Sequence, residues 1–333
     1  MRVLVWNKRG KPLMPCSPAK ARLLLKEKKA IVVRRTPFTI QLTIATGETK
    51  QPVSLGVDAG YKHVGLSAST EKAELYASEV ELRQDVSDLL SARHALRQSR
   101  RNRKTRYRAP RFDNRIRTKR KGWLAPSVEN RINAHLSRIE AVLRLLPVTK
   151  ITVETASFDT QLLKNPDIAG KEYQEGEQLG FWNVREYVLF RDGHVRIRNG
   201  IAKSHCADAF CIAGNLGAER LGEFFFQKQT RRNNRQIHKL SILKGGIRKR
   251  NQAPFEVKGF RLFDKVACQG EEGFIFGRRS TGYFDVRKLD GTCISAGISY
   301  KKLHLREKRR TYLTEIRKEE ALPPLREGRG LRA

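Results

Sequence analysis

The chain has 333 residues, enough for two to three domains at roughly 100–200 residues each, and sets 68 Lys and Arg against 34 Asp and Glu, a formal charge of +34. Such an excess costs self-repulsion and is usually offset by a polyanion. With no run of about 18 apolar residues and no apolar signal-peptide core after Met1-Arg2-Val3-Leu4, the expected polyanion is nucleic acid rather than a membrane.

Five cysteines (Cys16, Cys206, Cys211, Cys268 and Cys293) are scattered, odd in number and without a C-x-x-C pair. That argues against a disulfide framework and a zinc ribbon and suits a reducing cytoplasm.

In chain order, Val3 to Trp6 reads as a strand, Asn7 to Gly10 as a turn, and Lys11 to Cys16 as a loop with two prolines. Pro18 to Lys28 reads as a short helix, Ile31 to Val33 as a strand, and Phe38 to Ile44 as an alternating strand before a linker at Gly47 and Pro52. Val53, Leu55 and Val57 alternate, Asp58 to Tyr61 turns the chain, and Val64, Leu66 and Ala68 alternate again, which predicts a β-hairpin. Glu79 to Arg120 is expected to start as a helix and turn overwhelmingly basic.

Val128, Ile132, Leu136, Ile139, Val142, Leu143 and Leu146 share one face of a predicted helix over 128–146, with Ser127 as its cap and Pro147 after its end. Ile151 to Glu154 reads as a short buried strand, and residues 157–194 as polar and partly helical. Val195 to Arg198 is a strand candidate, His205 to Leu221 a small-residue-rich helix, and residues 230–250 a basic loop or helix. Short strand patterns at Arg261–Ala267, Gly273–Arg278, Tyr283–Leu289 and Cys293–Leu303, with a hairpin signal at Asp290-Gly291, predict a small β-barrel. The Arg- and Gly-rich tail after Ala321 is expected to be disordered.

Three carboxylates and one histidine stand out. Asp58 and Glu154 end two apolar strands; His205 and Asp208 are three apart and share a helical face. Singly, each reads as a turn former, a solvated acid or a surface histidine. Together, carboxylates from two strand ends and a later helix can hold two divalent ions about 3.5–4 Å apart, the arrangement that serves phosphodiester hydrolysis. Hard oxygen ligands suit Mg²⁺ or Mn²⁺, and His205 can take a proton from an attacking water.

The second feature is basic. From Arg93 to Lys121 fourteen Arg and Lys face only Asp113, with Tyr107, Phe112 and Trp123 near or among them. So dense a run needs phosphates to neutralise it, and its Arg side chains can also stack on bases. The residues expected to touch nucleic acid are Arg97, Arg100, Arg101, Arg103, Lys104, Arg106, Tyr107, Arg108, Arg111 and Arg115, joined later by Arg231, Arg232 and Arg235.

Val57-Asp58-Ala59-Gly60 with Val64-Gly65-Leu66-Ser67, then Ile151-Thr152-Val153-Glu154-Thr155, then His205-Cys206-Ala207-Asp208-Ala209, resemble in order the three motifs of a split RuvC nuclease domain of RNase H-like fold. The Arg100–Arg108 segment, lying between the first two, resembles the arginine-rich bridge helix of RNA-guided nucleases. Lys11-Pro12-Leu13-Met14-Pro15-Cys16, with Ala21-Arg22-Leu23-Leu24 and Pro37-Phe38-Thr39-Ile40, resembles the PLMP module that opens the transposon-encoded IscB family.

In IscB proteins an HNH nuclease follows the second motif. Here Tyr187 to His194 resembles the approach to it, but the chain runs on to Val195–Gly200 and the third motif without zinc-binding cysteines. This resembles IsrB, the HNH-lacking branch, and an IscB with its HNH domain excised would read the same way.

The resemblance implies an α/β chain: PLMP module 1–52, first RuvC motif 53–84, bridge helix 85–125, second motif and HNH-site remnant 126–194, third motif 195–223, basic RNA-interacting region 224–258, and a β region with tail, 259–333, that meets a target-adjacent motif. It implies Asp58, Glu154 and Asp208 as ligands of two Mg²⁺ or Mn²⁺ ions with His205 assisting, and no zinc. It also implies a monomeric protein in a ribonucleoprotein with a long noncoding guide RNA (ωRNA), acting on double-stranded DNA in a prokaryotic cytoplasm. The rival readings are a protein-only, structure-selective nuclease and a non-catalytic RNA-binding scaffold.

Overall fold

The computed structural model describes residues 2–102, 123–124, 126–154, 203–231, 241–242, 248–249 and 254–319. They form a mixed α/β structure with several sheets and few helices, and the chain divides into two compact units. The first comprises Met1–Val80, Ser137–Phe226 and Ile316–Ala333; the second comprises Glu81–Leu136 and Gln227–Glu315.

The first unit begins with β1 (Val3–Trp6), β2 (Pro12–Cys16), α1 (Pro18–Lys26), β3 (Ala30–Arg34) and β4 (Thr39–Leu42), in a sheet of order β2-β1-β4-β3. Ser17 Oγ accepts the Lys20 N–H at 3.3 Å and Pro18 opens the helix, so α1 starts where its cap permits. Val3, Val5, Leu13, Ala21, Ala30, Ile40 and Leu42 form the core of this sheet and helix.

Further along the chain come β5 (Ser54–Asp58), β6 (His63–Ser69) and β7 (Glu74–Glu81), then α2 (Val86–Asn102), α3 (Pro126–Leu143), β8 (Lys150–Glu154), α4 (His205–Ala213) and β9 (Glu223–Gln229); α2 and the first part of α3 fall in the second unit. A six-stranded sheet has the order β19-β9-β7-β6-β5-β8, where β19 is Tyr312–Lys318 near the end of the chain. Val53, Leu55, Val57, Val64, Leu66, Ala68 and Val80 are essentially inaccessible, so β5, β6 and the end of β7 lie in the core.

In the second unit, β10 (Ser241–Ile242) pairs with β11 (Arg248–Lys249) and β12 (Glu256–Val257) with β13 (Phe260–Arg261). Then β14 (Lys265–Cys268), β15 (Glu271–Arg278), β16 (Tyr283–Arg287), β17 (Cys293–Ser299) and β18 (His304–Glu307) form a five-stranded sheet of order β17-β16-β15-β14-β18. Its core gathers Val257, Phe260, Val266, Ile275, Phe284, Val286, Ile298 and Leu303. The hairpin signal is realised: Gly291 takes φ +97° between β16 and β17, and Asp290 Oδ1 accepts the Thr292 N–H at 2.7 Å.

Six expectations change. The small barrel is an open sheet: β17 and β18 are opposite edges, and the next strand, β19, joins the six-stranded sheet instead. Lys11–Cys16 holds a strand, because Leu13 and Pro15 alternate inward and an edge position tolerates proline. Glu79–Glu81 closes strand β7, and helix α2 begins only at Val86. Helix α3 starts at Pro126, ahead of the proposed Ser127 cap.

Strand β8 is an edge strand with Ile151 and Val153 about two-fifths exposed, not a buried one. Helix α4 stops at Ala213, because Gly214 takes the left-handed conformation at φ +86° and caps it. The expected strand at Val195–Arg198, the polar stretch 157–194, most of the basic stretch 230–250 and the tail beyond Ala321 lie outside the described residues.

Candidate functional site

The site is set by strand register. Along β5, Leu55 and Val57 point into the core on one face, which leaves Gly56 and Asp58 on the other. Strand β8 runs parallel to β5, with Ser54 opposite Lys150 and Asp58 opposite Glu154. One side chain pins that register: Thr149 Oγ1 accepts the Val53 N–H and donates to the Val53 carbonyl, each at 3.0 Å. Residues opposite each other in a parallel pair share a face, so the two carboxylates emerge side by side from two strand ends. Both are half-buried.

Helix α4 packs on that same face, against β5, β6 and β8. Ser204 caps it by accepting the Ala207 N–H at 3.0 Å, and Asp208 in its first turn suits the positive end of the helix dipole. Two glycines let the helix backbone sit this low. A Cβ on Gly56 would stand 2.6 Å from the Ala213 nitrogen and collide with the Ala209 carbonyl; one on Gly65 would collide with the carbonyl of His205. Gly65 is also the residue opposite Asp58 in the β5–β6 ladder, so the start of the helix is delivered directly beside Asp58.

There His205 Nδ1 donates to Asp58 Oδ2 at 2.6 Å. That hydrogen bond raises the imidazole pKa, against a smaller opposing effect of burial, and the nearby charges of Asp58, Glu79 and Asp208 raise it further. Ligand-capable atoms of Asp58, His205 and Asp208 all lie within 4.8 Å of one another. Thus all four predicted residues come to one end of one sheet: three as a tight group, and Glu154 as the register neighbour of Asp58. Carboxylate oxygens dominate the set, and such donors fit Mg²⁺ or Mn²⁺.

Several contributors escaped the sequence reading. Thr149 and Ser204 look like ordinary polar residues before a strand and a helix, although Ser204 stands three residues before Ala207 in a capping position. Gly56 is marked only by being a glycine inside an apolar strand, which signals close backbone approach. His63 and Glu79 lie beside His205, with no sequence signal linking them.

Among the expected nucleic-acid residues, Arg97 is exposed on α2 and Arg231 is half-buried, its carbonyl accepting from the Arg309 guanidinium. Arg100 and Arg101 belong to the end of α2, their side chains outside the described set. Arg103, Lys104, Arg106, Tyr107, Arg108, Arg111, Arg115, Arg232 and Arg235 lie outside the described residues altogether. No helix among the described residues is long and apolar enough to cross a membrane.

A model of the family described as RRXRR protein matches residues 3–176, just over half of the chain; this domain is found in IscB- and IsrB-type proteins. No curated protein matches.

Proposed function

Because the chain belongs to the RRXRR family, we propose that it is an RNA-guided DNA endonuclease of the IsrB kind, a nickase with a RuvC centre. One observation carries the reading: parallel register sets Asp58 beside Glu154, beneath a helix whose first turn brings His205 and Asp208 to Asp58. The order β7-β6-β5-β8, with β5–β6 antiparallel, β5–β8 parallel and a helix packed on the sheet, suits an RNase H-like core.

Asp58, Glu154 and Asp208 would hold two Mg²⁺ or Mn²⁺ ions. Such a pair, when bound, stabilises the attacking and leaving oxygens of a phosphodiester. The chain's own groups then have distinct roles. Asp58 holds the Nδ1 edge of His205, which leaves Nε2 as the edge able to receive a proton from the attacking water. Glu154 and Asp208 add the negative charge that retains divalent cations. The basic segment from Arg93 to Lys121 supplies the phosphate-binding surface for a long guide RNA and its DNA hybrid. Base pairing selects the target, while protein groups read backbone, shape and a short adjacent motif.

The test starts with sequencing the RNA that copurifies with the protein, then adding the complex to plasmid carrying its target. Asp58→Ala, Glu154→Ala and Asp208→Ala should each abolish cleavage with RNA and target binding nearly intact. Double variants should be little worse than singles, because the groups act as a unit. His205→Ala should keep some activity. Normal cutting by Asp208→Ala, or cutting by RNA-free protein, would sink the reading.

A further inference from the structure

His205 is held at more than its Asp58 edge. The ring of His63, the first residue of β6, lies flat against it, with centroids 5.1 Å apart and planes 2° from parallel. Glu79 of β7 stands behind His63, its Oε1 3.0 Å from His63 Nδ1, and that nitrogen is buried without a hydrogen-bond partner. The His205 side chain is 40% exposed, so Asp58 alone would leave its ring free to swing about the Nδ1 contact.

We propose that His63, backed by Glu79, is a positioning residue: its ring face fixes the plane of the His205 imidazole, so that with Nδ1 on Asp58 the Nε2 edge keeps one direction. The inference rests on the nuclease reading and adds to it a residue pair outside the carboxylate motifs. The backbone supports the same role. His63 and Gly65 lie two apart on β6 and so share a face; Gly65 seats the His205 backbone while His63 seats its ring.

Chelation is the competing use of these groups, since ligand atoms of His63, Glu79 and His205 also lie within 4.8 Å of one another. Imidazole lone pairs lie in the ring plane, and the planes of two parallel stacked rings do not meet at one ion. The stack therefore orients rather than chelates. Aromatic faces in offset contact prefer such arrangements, and a general base loses much of its effect when misplaced by about 1 Å.

The experiment compares wild type, His63→Ala and His63→Phe as full chains loaded with their copurified RNA. His63→Ala should lower the single-turnover nicking rate about tenfold with target affinity unchanged. His63→Phe, which keeps a flat ring, should recover most of the loss. In ¹³C-histidine spectra, with the His205 signal assigned by its absence in His205→Ala, the Cε1–H resonance should lose a ring-current shift in His63→Ala and keep one in His63→Phe. A wild-type rate in His63→Ala, a defect that His63→Phe does not repair, or an unmoved resonance overturns the inference while the nuclease reading stands. A wild-type complex that does not nick removes the nuclease reading itself, and this role with it.

Discussion

Glu74 shows how a single buried acid is accommodated within the six-stranded sheet. It lies on β7, 1% exposed; Oε1 accepts from Ser67 Oγ at 2.5 Å and Oε2 from the Leu221 N–H at 2.9 Å. Burial still dominates and raises its pKa, although both hydrogen bonds and the nearby Arg220 oppose that rise. A carboxyl whose folded pKa is raised gives its full stabilisation below the unfolded pKa, about 4.3, and loses it as pH climbs through the folded value. Glu74→Gln carries no such loss, and its amide can donate to Ser67 while its oxygen accepts from Leu221. The stability of the variant relative to wild type should therefore improve from pH 4 to pH 8. Urea midpoints at both pH values give the test, and the difference between the two proteins is the readout because the other carboxylates titrate in both. A variant that instead loses ground at pH 8 would show that the ionised form of Glu74 is the better fit.

At the scale of elements, much of the site was legible and much was not. The β5–β6 hairpin and the start of α4 announce themselves by period-2 alternation and by a small-residue helix. The partnership of Asp58 and Glu154 does not, because a parallel pair joins segments 96 residues apart and its register is fixed by Thr149, a residue with no motif character. Strand β7 shows no period-2 signal, because five successive residues from Glu74 are buried on both faces, and its end at Glu79–Glu81 is where a helix is expected from sequence. The early end of α4 had a signal in Gly214-Asn215, but apolar residues continuing to Leu216 and Leu221 masked it.

Gly56 ties element packing to the site. A methyl there meets the backbone of Ala209 and Ala213, not a flexible side chain, so α4 must lift off the sheet. Gly56→Ala should cost about 1–3 kcal/mol, as overpacking usually does. It should also lower nicking by more than that stability loss accounts for, since His205 and Asp208 ride on the displaced helix. Gly217→Ala, whose added carbon meets nothing within 4 Å, is the control and should be neutral in both assays. Full activity in a folded Gly56→Ala protein would show that α4 need not sit at this depth.

On the scale of the whole molecule, the charge of +34 and the single proposed centre jointly predict what is cut. A charge that large suits a protein that wraps a long polyanion, and a guide RNA opening duplex DNA leaves two strands that run in opposite directions. One is held in the hybrid; the other is displaced and single-stranded. The proposed centre, at the ends of β5 and β8, would hold one scissile phosphate. A fixed site presents one strand at a time in productive geometry. In the IscB family, which this chain resembles, the guide-paired strand is cut by an HNH domain, and no C-x-x-C pair follows Gly193-His194 here to build one. By the same resemblance, the proposed RuvC centre would receive the displaced strand. The protein should therefore convert supercoiled plasmid to open circle in an RNA-dependent reaction, with the nick on the non-target strand. Duplexes labelled differently on their two strands decide the matter. Linear product formed efficiently by the monomer would mean that one centre can reach both strands. A nick confined to the guide-paired strand would mean that the hybrid, and not the displaced strand, lies over Asp58 and Glu154.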